Sequence, residues 1–194
     1  VDGLARNVPT VRDPDNLTYF KEEVGGLAVG GYELNPVAWN EAAVPESFSF
    51  QLFPEVYERF EPFMRGILAR FPALESVGIK QWFNGLESFT EDGMFVLGKA
   101  PERDNFFVGT GFNAFGIASA GGAGKALSEW ITEGAPEFDL WSADIRRFGR
   151  YTRDNQQLRL RALEGQARHY TMSWPDHEHE ACRPLRRSPH YERL

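Results

Sequence analysis

A strand–glycine–helix pattern at residues 106–131 constrains the fold of this chain more than any other stretch. The apolar run FFV at 106–108 suits a buried strand. Six glycines follow within residues 109–124. Apolar residues at 126–131 then recur at the spacing of one helix face. The pattern predicts a strand, a glycine-rich turn and a helix.

Two interpretations of this turn are open. Glycines between a strand and a helix allow a ligand or another backbone to approach closely. The helix N-terminus beyond them presents unpaired N–H groups, which favour an anion or a polarised carbonyl oxygen. This combination predicts a cofactor cradle, and the alternative is close helix–strand packing without a ligand. The number of glycines around one turn favours the cradle.

Neither common phosphate-binding motif is present in the turn. A P-loop ending at Gly124-Lys125 would place Ser119 at its first glycine and Ala126 at its final Ser or Thr. The dinucleotide fingerprint GxGxxG begins at Gly109 but has Ala114 at its third glycine. If the loop binds a nucleotide cofactor, we therefore expect it to bind the non-phosphate end.

Composition narrows the class of protein. The chain has 194 residues, of which 42% are hydrophobic and 25% charged, as in a folded soluble protein of one domain or slightly more. The net charge of −7 argues against nucleic acid or an anionic membrane as a partner. No apolar run reaches the roughly 20 residues of a spanning helix. The single Cys182 excludes an internal disulfide and fits a reducing compartment. Both ends read as the interior of a longer polypeptide, so we expect a fragment.

The first half of the chain predicts a hairpin and a helix. Residues 1–16 are polar with two prolines and predict a loop. Short strands are predicted at Leu17–Phe20 and Leu27–Tyr32, with a turn at Glu23–Gly26 between them. An amphipathic helix is predicted from Glu55 to Phe71, with Pro54 at its start.

The second half alternates short strands and helices. Strands are predicted at Val77–Phe83 and Met94–Leu97, with a turn at Glu91–Gly93 between them. Gly134 should end the helix that follows the glycine-rich turn. A very polar helix is predicted from about Tyr151 to Tyr170.

No set of residues forms a self-contained catalytic group. His177, His179 and Cys182 do not match a zinc-ligand spacing, so we predict no metal site. This absence is expected if a cofactor carries the reaction and the protein supplies orientation and electrostatics.

The segments Asn84–Gly98 and Gly109–Gly124 resemble the flavin domain of dimethylglycine and sarcosine dehydrogenases, which belong to the D-amino-acid-oxidase-like flavoproteins. The opening DPDNLTYFKEEVGGLAVGGYE is similar to their substrate-binding sheet. The tail HYTMSWPDHEHEACRPLRRSPHYERL is similar to the connector that precedes their folate-binding domain, which is like the glycine-cleavage T-protein.

The resemblance implies an α/β fold: the C-terminal part of an FAD-binding Rossmann-like domain with a mixed substrate-binding sheet, followed by a helical connector. Residues 1–100 would be part of the substrate-binding sheet and its helix. Residues 101–149 would hold the final strand and helix of the FAD-binding domain, and 150–194 the connector to the folate-binding domain.

The resemblance also implies an FAD enzyme that oxidatively demethylates dimethylglycine or sarcosine. The loop after the strand would lie along the flavin ring, and the helix N-terminus would point at the flavin N1–C2=O edge. The implied cofactor-binding residues are Gly85, Gly109, Gly111, Phe112, Asn113, Ala114, Phe115, Gly116 and Ile117. No catalytic residue is assigned.

The implied partners are a small methylated amine, an electron-transfer flavoprotein and, in the folate-binding domain, tetrahydrofolate. The location would be cytoplasmic in a bacterium and the mitochondrial matrix in a eukaryote. Departures from relatives include the lack of a cysteine near Gly85 and the presence of Ala118 in place of a lysine, so oxidase chemistry is not implied. The alternatives are a non-catalytic regulatory protein on the same fold, like the pyruvate dehydrogenase phosphatase regulatory subunit, and a scaffold module.

Overall fold

The computed structural model describes residues 1–39, 43–183 and 190. The chain divides into two compact units, which are described one at a time. The first comprises Val1–Pro36, Ala42–Leu86 and Ala167–His177, and the second Val37–Glu41, Glu87–Gln166 and Glu178–Leu194. In chain order the strands and helices are β1 Val11–Asp13, β2 Thr18–Glu23, β3 Gly26–Gly31, α1 Tyr57–Arg70, β4 Val96–Lys99, β5 Phe107–Thr110, α2 Gly116–Glu133 and α3 Asn155–Arg168.

The first unit contains an antiparallel sheet in the order β1-β2-β3. The predicted hairpin is confirmed: β2 and β3 pair around Val24 and Gly25, both at positive φ, as a tight two-residue hairpin turn requires. The prediction of a loop over residues 1–16 is wrong at β1. This strand has only three residues between Pro9 and Pro14, and its order comes from pairing with β2 rather than from its own sequence pattern.

Helix α1 begins and ends inside the predicted range. Val56 before it is extended (φ −126°, ψ 89°), a conformation that suits a β-branched residue, so Pro54 lies before the first turn instead of in it. The helix packs its Phe63 ring against β3 at Gly31, where a Cβ would lie 2.5 Å from that ring. The core beneath contains Phe20 and Ile67, 1% and 2% exposed.

The predicted strand Val77–Phe83 is wrong. The structure assigns no strand to this segment, and Val77, Ile79 and Phe83 are 40%, 58% and 72% exposed. Alternating apolar residues are typical of a strand, but a strand forms only when its backbone pairs with another. In the part of the chain that the structure describes, no neighbouring strand pairs with this segment.

The second unit is built on an antiparallel ribbon of β4 and β5, with α2 packed against it. The predicted strand at 106–108 is confirmed as β5, and Gly134 ends the following helix in the left-handed conformation (φ 87°). The prediction that the glycine-rich turn continues to Gly124 is wrong: α2 begins at Gly116 and contains four of the six glycines. Burial of Ala123, Ala126 and Trp130 on one helix face outweighs the low helix propensity of glycine. The strand predicted at Met94–Leu97 lies two residues further on. Leu97, Ala123, Ala126, Trp130 and Ala143 form the buried core of this unit.

The α/β character of the chain is confirmed. The strands that the structure describes pair antiparallel within both sheets, so a mixed sheet and the Rossmann-like arrangement stay predictions. The polar helix predicted at 151–170 is shorter: its start is a 3₁₀ turn at Arg150–Arg153, and α3 follows. The division at residues 100 and 149 also stays a prediction, and the connector residues 184–189 and 191–194 lie outside the described residues.

Candidate functional site

The loop between β5 and α2 has an unusual backbone. Gly111, Asn113 and Ala114 all have positive φ, at 64°, 49° and 67°. Glycine adopts this conformation freely and asparagine tolerates it, but an alanine pays roughly 1 kcal/mol or more. Two consecutive non-glycine residues in the left-handed region imply that neighbouring groups hold the turn in place.

Asn113 makes several of the hydrogen bonds that keep the turn in this conformation. Its side chain is only 1% exposed. Its Oδ1 accepts a hydrogen bond from the Thr90 N–H (2.9 Å), and its Nδ2 donates to the Gly111 carbonyl (2.7 Å) and to Thr90 Oγ1 (3.3 Å). Its backbone N–H donates to the Ser88 carbonyl (3.2 Å). The loop is therefore tied to residues 88–90 at several points.

Close packing accounts for two of the glycines. A Cβ on Gly111 would lie 2.6 Å from Thr90 Cγ2, and one on Gly109 would lie 2.9 Å from Leu127 Cδ1. Gly116 differs, because the nearest atom to its Cβ position is Phe112 Cβ at an ordinary 3.7 Å. Close packing is therefore confirmed at the first two positions, and the cofactor cradle stays a prediction.

The aromatic and aliphatic residues of the loop point in different directions. Phe112 is partly buried and stacks on Phe95, with ring centroids 5.3 Å apart. Phe115 is 48% exposed and Ile117 fully exposed. Phe112 therefore belongs to the core of the unit, while Phe115 and Ile117 form its outer surface beside Ala114.

The start of α2 is open to an anionic or polarised group. Phe115 precedes the helix and supplies no capping hydrogen bond, and the first turn contains no acidic residue. The N–H groups of the first turn keep their partial positive charge, which a capping side chain or carboxylate would otherwise neutralise.

Eight of the nine predicted cofactor-binding residues lie in this one segment, from Gly109 to Ile117. Gly85, the ninth, belongs to the first unit, where it is exposed and its Cβ position lies 3.6 Å from Leu52. Next to it, Asn84 accepts a hydrogen bond from the Phe53 N–H at its carbonyl and donates one through Nδ2 to the Pro54 carbonyl.

Further polar contacts stabilise residues 88–94, the segment to which the loop is hydrogen-bonded. Arg147 donates to both carboxylate oxygens of Asp92 (2.7 and 3.1 Å) and to the Met94 carbonyl (2.7 Å). The Thr90 hydroxyl also lies 2.9 Å from that carbonyl. Burial raises the pKa of Asp92, but the hydrogen bonds from Arg147 and the Met94 N–H outweigh it and leave this pKa below its usual value.

Sequence reasoning missed the supporting roles of Thr90, Asp92 and Arg147. The sequence predicts the turn at Glu91–Gly93 but not a partner for the Asp92 carboxylate. Arg147 lies 55 residues further along the chain, and nothing in the local sequence signals such a pair.

Together these features define a class: an α/β protein in which a strand leads through a turn with positive φ angles into a helix without a side-chain cap. The chain belongs to the FAD dependent oxidoreductase family, whose model matches residues 2–130. Residues 133–188 match a second model, the FAD dependent oxidoreductase central domain. The resemblance noted in the sequence is thereby confirmed.

Relatives cover nearly all of the chain. It is 41% identical to the mitochondrial sarcosine dehydrogenase of Mus musculus over 100% of the chain and 21% of that protein. It is 35% identical to the mitochondrial pyruvate dehydrogenase phosphatase regulatory subunit of Mus musculus, over 98% of the chain and 22% of the relative. It is 32% identical to the mitochondrial dimethylglycine dehydrogenase of Mus musculus, over 96% of the chain and 22% of that protein. The chain thus spans about a fifth of the length of the curated relatives it matches.

The helices in the described part of the chain offer no candidate for a membrane span. Among the described residues, none of them combines the length and apolar character needed to cross a bilayer.

Proposed function

We propose that this chain is part of an FAD-dependent amine dehydrogenase that demethylates sarcosine, dimethylglycine or a similar N-methyl amino acid. The observation that carries the proposal is the uncapped start of α2 next to the strained loop at Asn113-Ala114. Backbone strain of this kind is found at functional sites, where surrounding structure maintains it for a purpose beyond stability.

The residues present fit the flavin end of FAD. The planar isoalloxazine ring needs an apolar surface and hydrogen-bond donors at one edge. Phe115 and Ile117 offer exposed apolar surface, and Gly116 leaves room where a side chain would stand. The first-turn N–H groups of α2 offer the donors. Gly109 and Gly111 serve the site indirectly, because their own Cβ positions face Leu127 and Thr90.

When bound, the flavin supplies the electron sink for oxidation of an N-methyl group. The contribution of this chain is electrostatic. The partial positive charge at the start of α2 would stabilise negative charge on the pyrimidine edge of the reduced ring. The exposed side chains of Phe115 and Ile117 would exclude water from that edge, which strengthens the same interaction because the local dielectric falls.

The rest of the proposal concerns the full-length protein. An electron-transfer flavoprotein would accept the electrons, and tetrahydrofolate would capture the one-carbon unit in a further domain. The location would be the cytoplasm of a bacterium or the mitochondrial matrix of a eukaryote. Sarcosine dehydrogenase and dimethylglycine dehydrogenase among the relatives support the N-methyl amino acid class.

The test is an anaerobic reduction of the full-length protein. Its visible spectrum should show bound flavin, and sarcosine or dimethylglycine should bleach the flavin band in a single turnover. Glycine, which has no N-methyl group, is the matched control and should leave the band unchanged. A flavin band that neither methylated substrate bleaches would refute sarcosine and dimethylglycine as the substrates.

A second function is supported by one relative, the regulatory subunit of pyruvate dehydrogenase phosphatase. In this case the fold would serve a non-catalytic regulatory role, and the strained loop would be retained for structure or ligand sensing. A protein that binds flavin but resists reduction by every N-methyl amino acid would favour the regulator. A full-length protein that purifies without flavin would exclude the enzyme and fit a scaffold module.

A further inference from the structure

We infer that Asn113 is a positioning residue: it holds the loop in place for the cofactor through Thr90 and Gly111 and does not itself contact the cofactor. This inference rests on the proposed function for the identity of the ligand. It corrects the simplest interpretation of the predicted site, in which every residue from Gly111 to Ile117 faces the flavin ring.

Asn113 is much less exposed to solvent than the residues that follow it. Its side chain is 1% exposed, whereas Ala114 and Phe115, which follow it and precede the helix, are exposed. A side chain with so little accessible surface cannot form a face for a planar ligand. The groups available to a ligand in this loop are therefore Ala114, the exposed side chain of Phe115 and the start of α2 at Gly116.

The hydrogen-bonding capacity of the Asn113 amide is already used within the chain. An asparagine side chain has one acceptor oxygen and two donor hydrogens. The oxygen receives the Thr90 N–H, and the two hydrogens are directed to the Gly111 carbonyl and the Thr90 hydroxyl. The opposite amide orientation would place the NH₂ group against the Thr90 N–H and the oxygen against the Gly111 carbonyl. The network therefore fixes this orientation.

These contacts lie where the backbone needs support. Asn113 and Ala114 are consecutive residues at positive φ, and Ala114 has no polar side chain to stabilise its conformation. The bond from Asn113 Nδ2 to the Gly111 carbonyl spans the turn, and the bonds to Thr90 anchor it to another segment. Without them the turn would relax, and the direction of the first N–H groups of α2 would change with it.

Two pairs of variants of the full-length protein test the inference. Asn113→Asp keeps the size and the acceptor oxygen but replaces the NH₂ donor with an oxygen facing the Gly111 carbonyl. Asn113→Ala removes every side-chain contact. Thr90→Val removes the hydroxyl at constant size, and Thr90→Ser keeps it as the matched control. Hydrogen–deuterium exchange of residues 111–119 reports on the loop, and the flavin absorption spectrum and reduction potential report on the cofactor.

Both Asn113 variants should exchange at least about tenfold faster across the loop, the result of losing one or more buried hydrogen bonds. Thr90→Val should give a smaller increase than the Asn113 variants, and Thr90→Ser, which keeps the hydroxyl and loses only a methyl contact, should give the smallest. The Asn113 variants should also bind flavin more weakly and with a more negative reduction potential. Unchanged exchange of the C-terminal half of α2, in the same unit as the loop, would show that this unit of the variants remains folded.

The inference is overturned if the Asn113 variants exchange like the wild type. It is also overturned if they keep loop protection and yet lose flavin, because that result would show a direct contact. A wild-type protein without flavin, with faster loop exchange in the variants, would refute the proposed function while upholding the positioning role of Asn113.

Discussion

Replacing Gly111 by alanine tests the geometry of the loop quantitatively. The substitution meets two separate obstacles. Gly111 has φ +64°, where an alanine costs about 1–2 kcal/mol. Its new Cβ would also lie 2.6 Å from Thr90 Cγ2, so one of the two segments must move at a cost of about 1–3 kcal/mol. The sum is a local destabilisation of about 2–5 kcal/mol.

Thr90→Ser separates the two terms because it removes the obstructing methyl group and keeps the hydroxyl. On its own it should cost about 1 kcal/mol for the lost methyl contact. In the double variant the steric term disappears and only the backbone term remains. A double-mutant cycle should therefore give a favourable coupling energy of about 1–3 kcal/mol between the two positions.

Native-state hydrogen exchange of the full-length protein measures the free energy of opening at the loop itself. The Asn113 N–H, bonded to the Ser88 carbonyl, and the Thr90 N–H, bonded to Asn113 Oδ1, report opening of the loop. Since a factor of ten corresponds to about 1.4 kcal/mol, Gly111→Ala should accelerate their exchange by about 30-fold or more. Exchange within twofold of the wild type, or an effect that Thr90→Ser leaves unaltered, would refute the proposed packing.

Two further predictions concern the same loop and its support. Ala114→Gly should stabilise the loop by about 1 kcal/mol, because a φ of 67° is strained for alanine and not for glycine. Slower exchange of the Phe115 N–H would verify this gain. Asp92→Asn should weaken the pH dependence of the free energy of unfolding in the acidic range. The pKa of Asp92 is lowered in the folded state, so its contribution is present above the usual value near 3.8 and is lost as pH falls through the lower folded value. Chemical denaturation at a series of pH values would measure this, and an unchanged pH dependence would contradict the Asp92–Arg147 contact.

The local pattern of the sequence was sufficient for elements stabilised by neighbours in sequence. The hairpin of β2 and β3 and the helix stop at Gly134 depend on turn and capping chemistry, which acts over a few residues. The strand before the turn was also predictable, from its apolar run. The start of α2 at Gly116 was not, because the glycines after it lower the local helix propensity and packing of the helix face decides.

Elements that depend on distant partners could not be predicted. Val77–Phe83 has the pattern of a strand, but pairing decides whether a strand forms, and β1 gained its pairing despite a sequence typical of a loop. The buried amide of Asn113 and the pair of Asp92 with Arg147 depend on contacts 23 and 55 residues apart. Tertiary structure brings these groups together, and no local spacing encodes them.

The central claim is that the start of α2 lies beside the flavin, and Gly116→Val tests it most directly. The nearest side-chain atom to the Gly116 Cβ position is Phe112 Cβ at an ordinary 3.7 Å, so this chain accommodates a Cβ there, and Gly116→Ala is the matched control for folding. Flavin content of the purified full-length variant, measured as visible absorbance per protein, should fall several-fold while its thermal unfolding stays near that of Gly116→Ala. Full flavin content in Gly116→Val would contradict the claim.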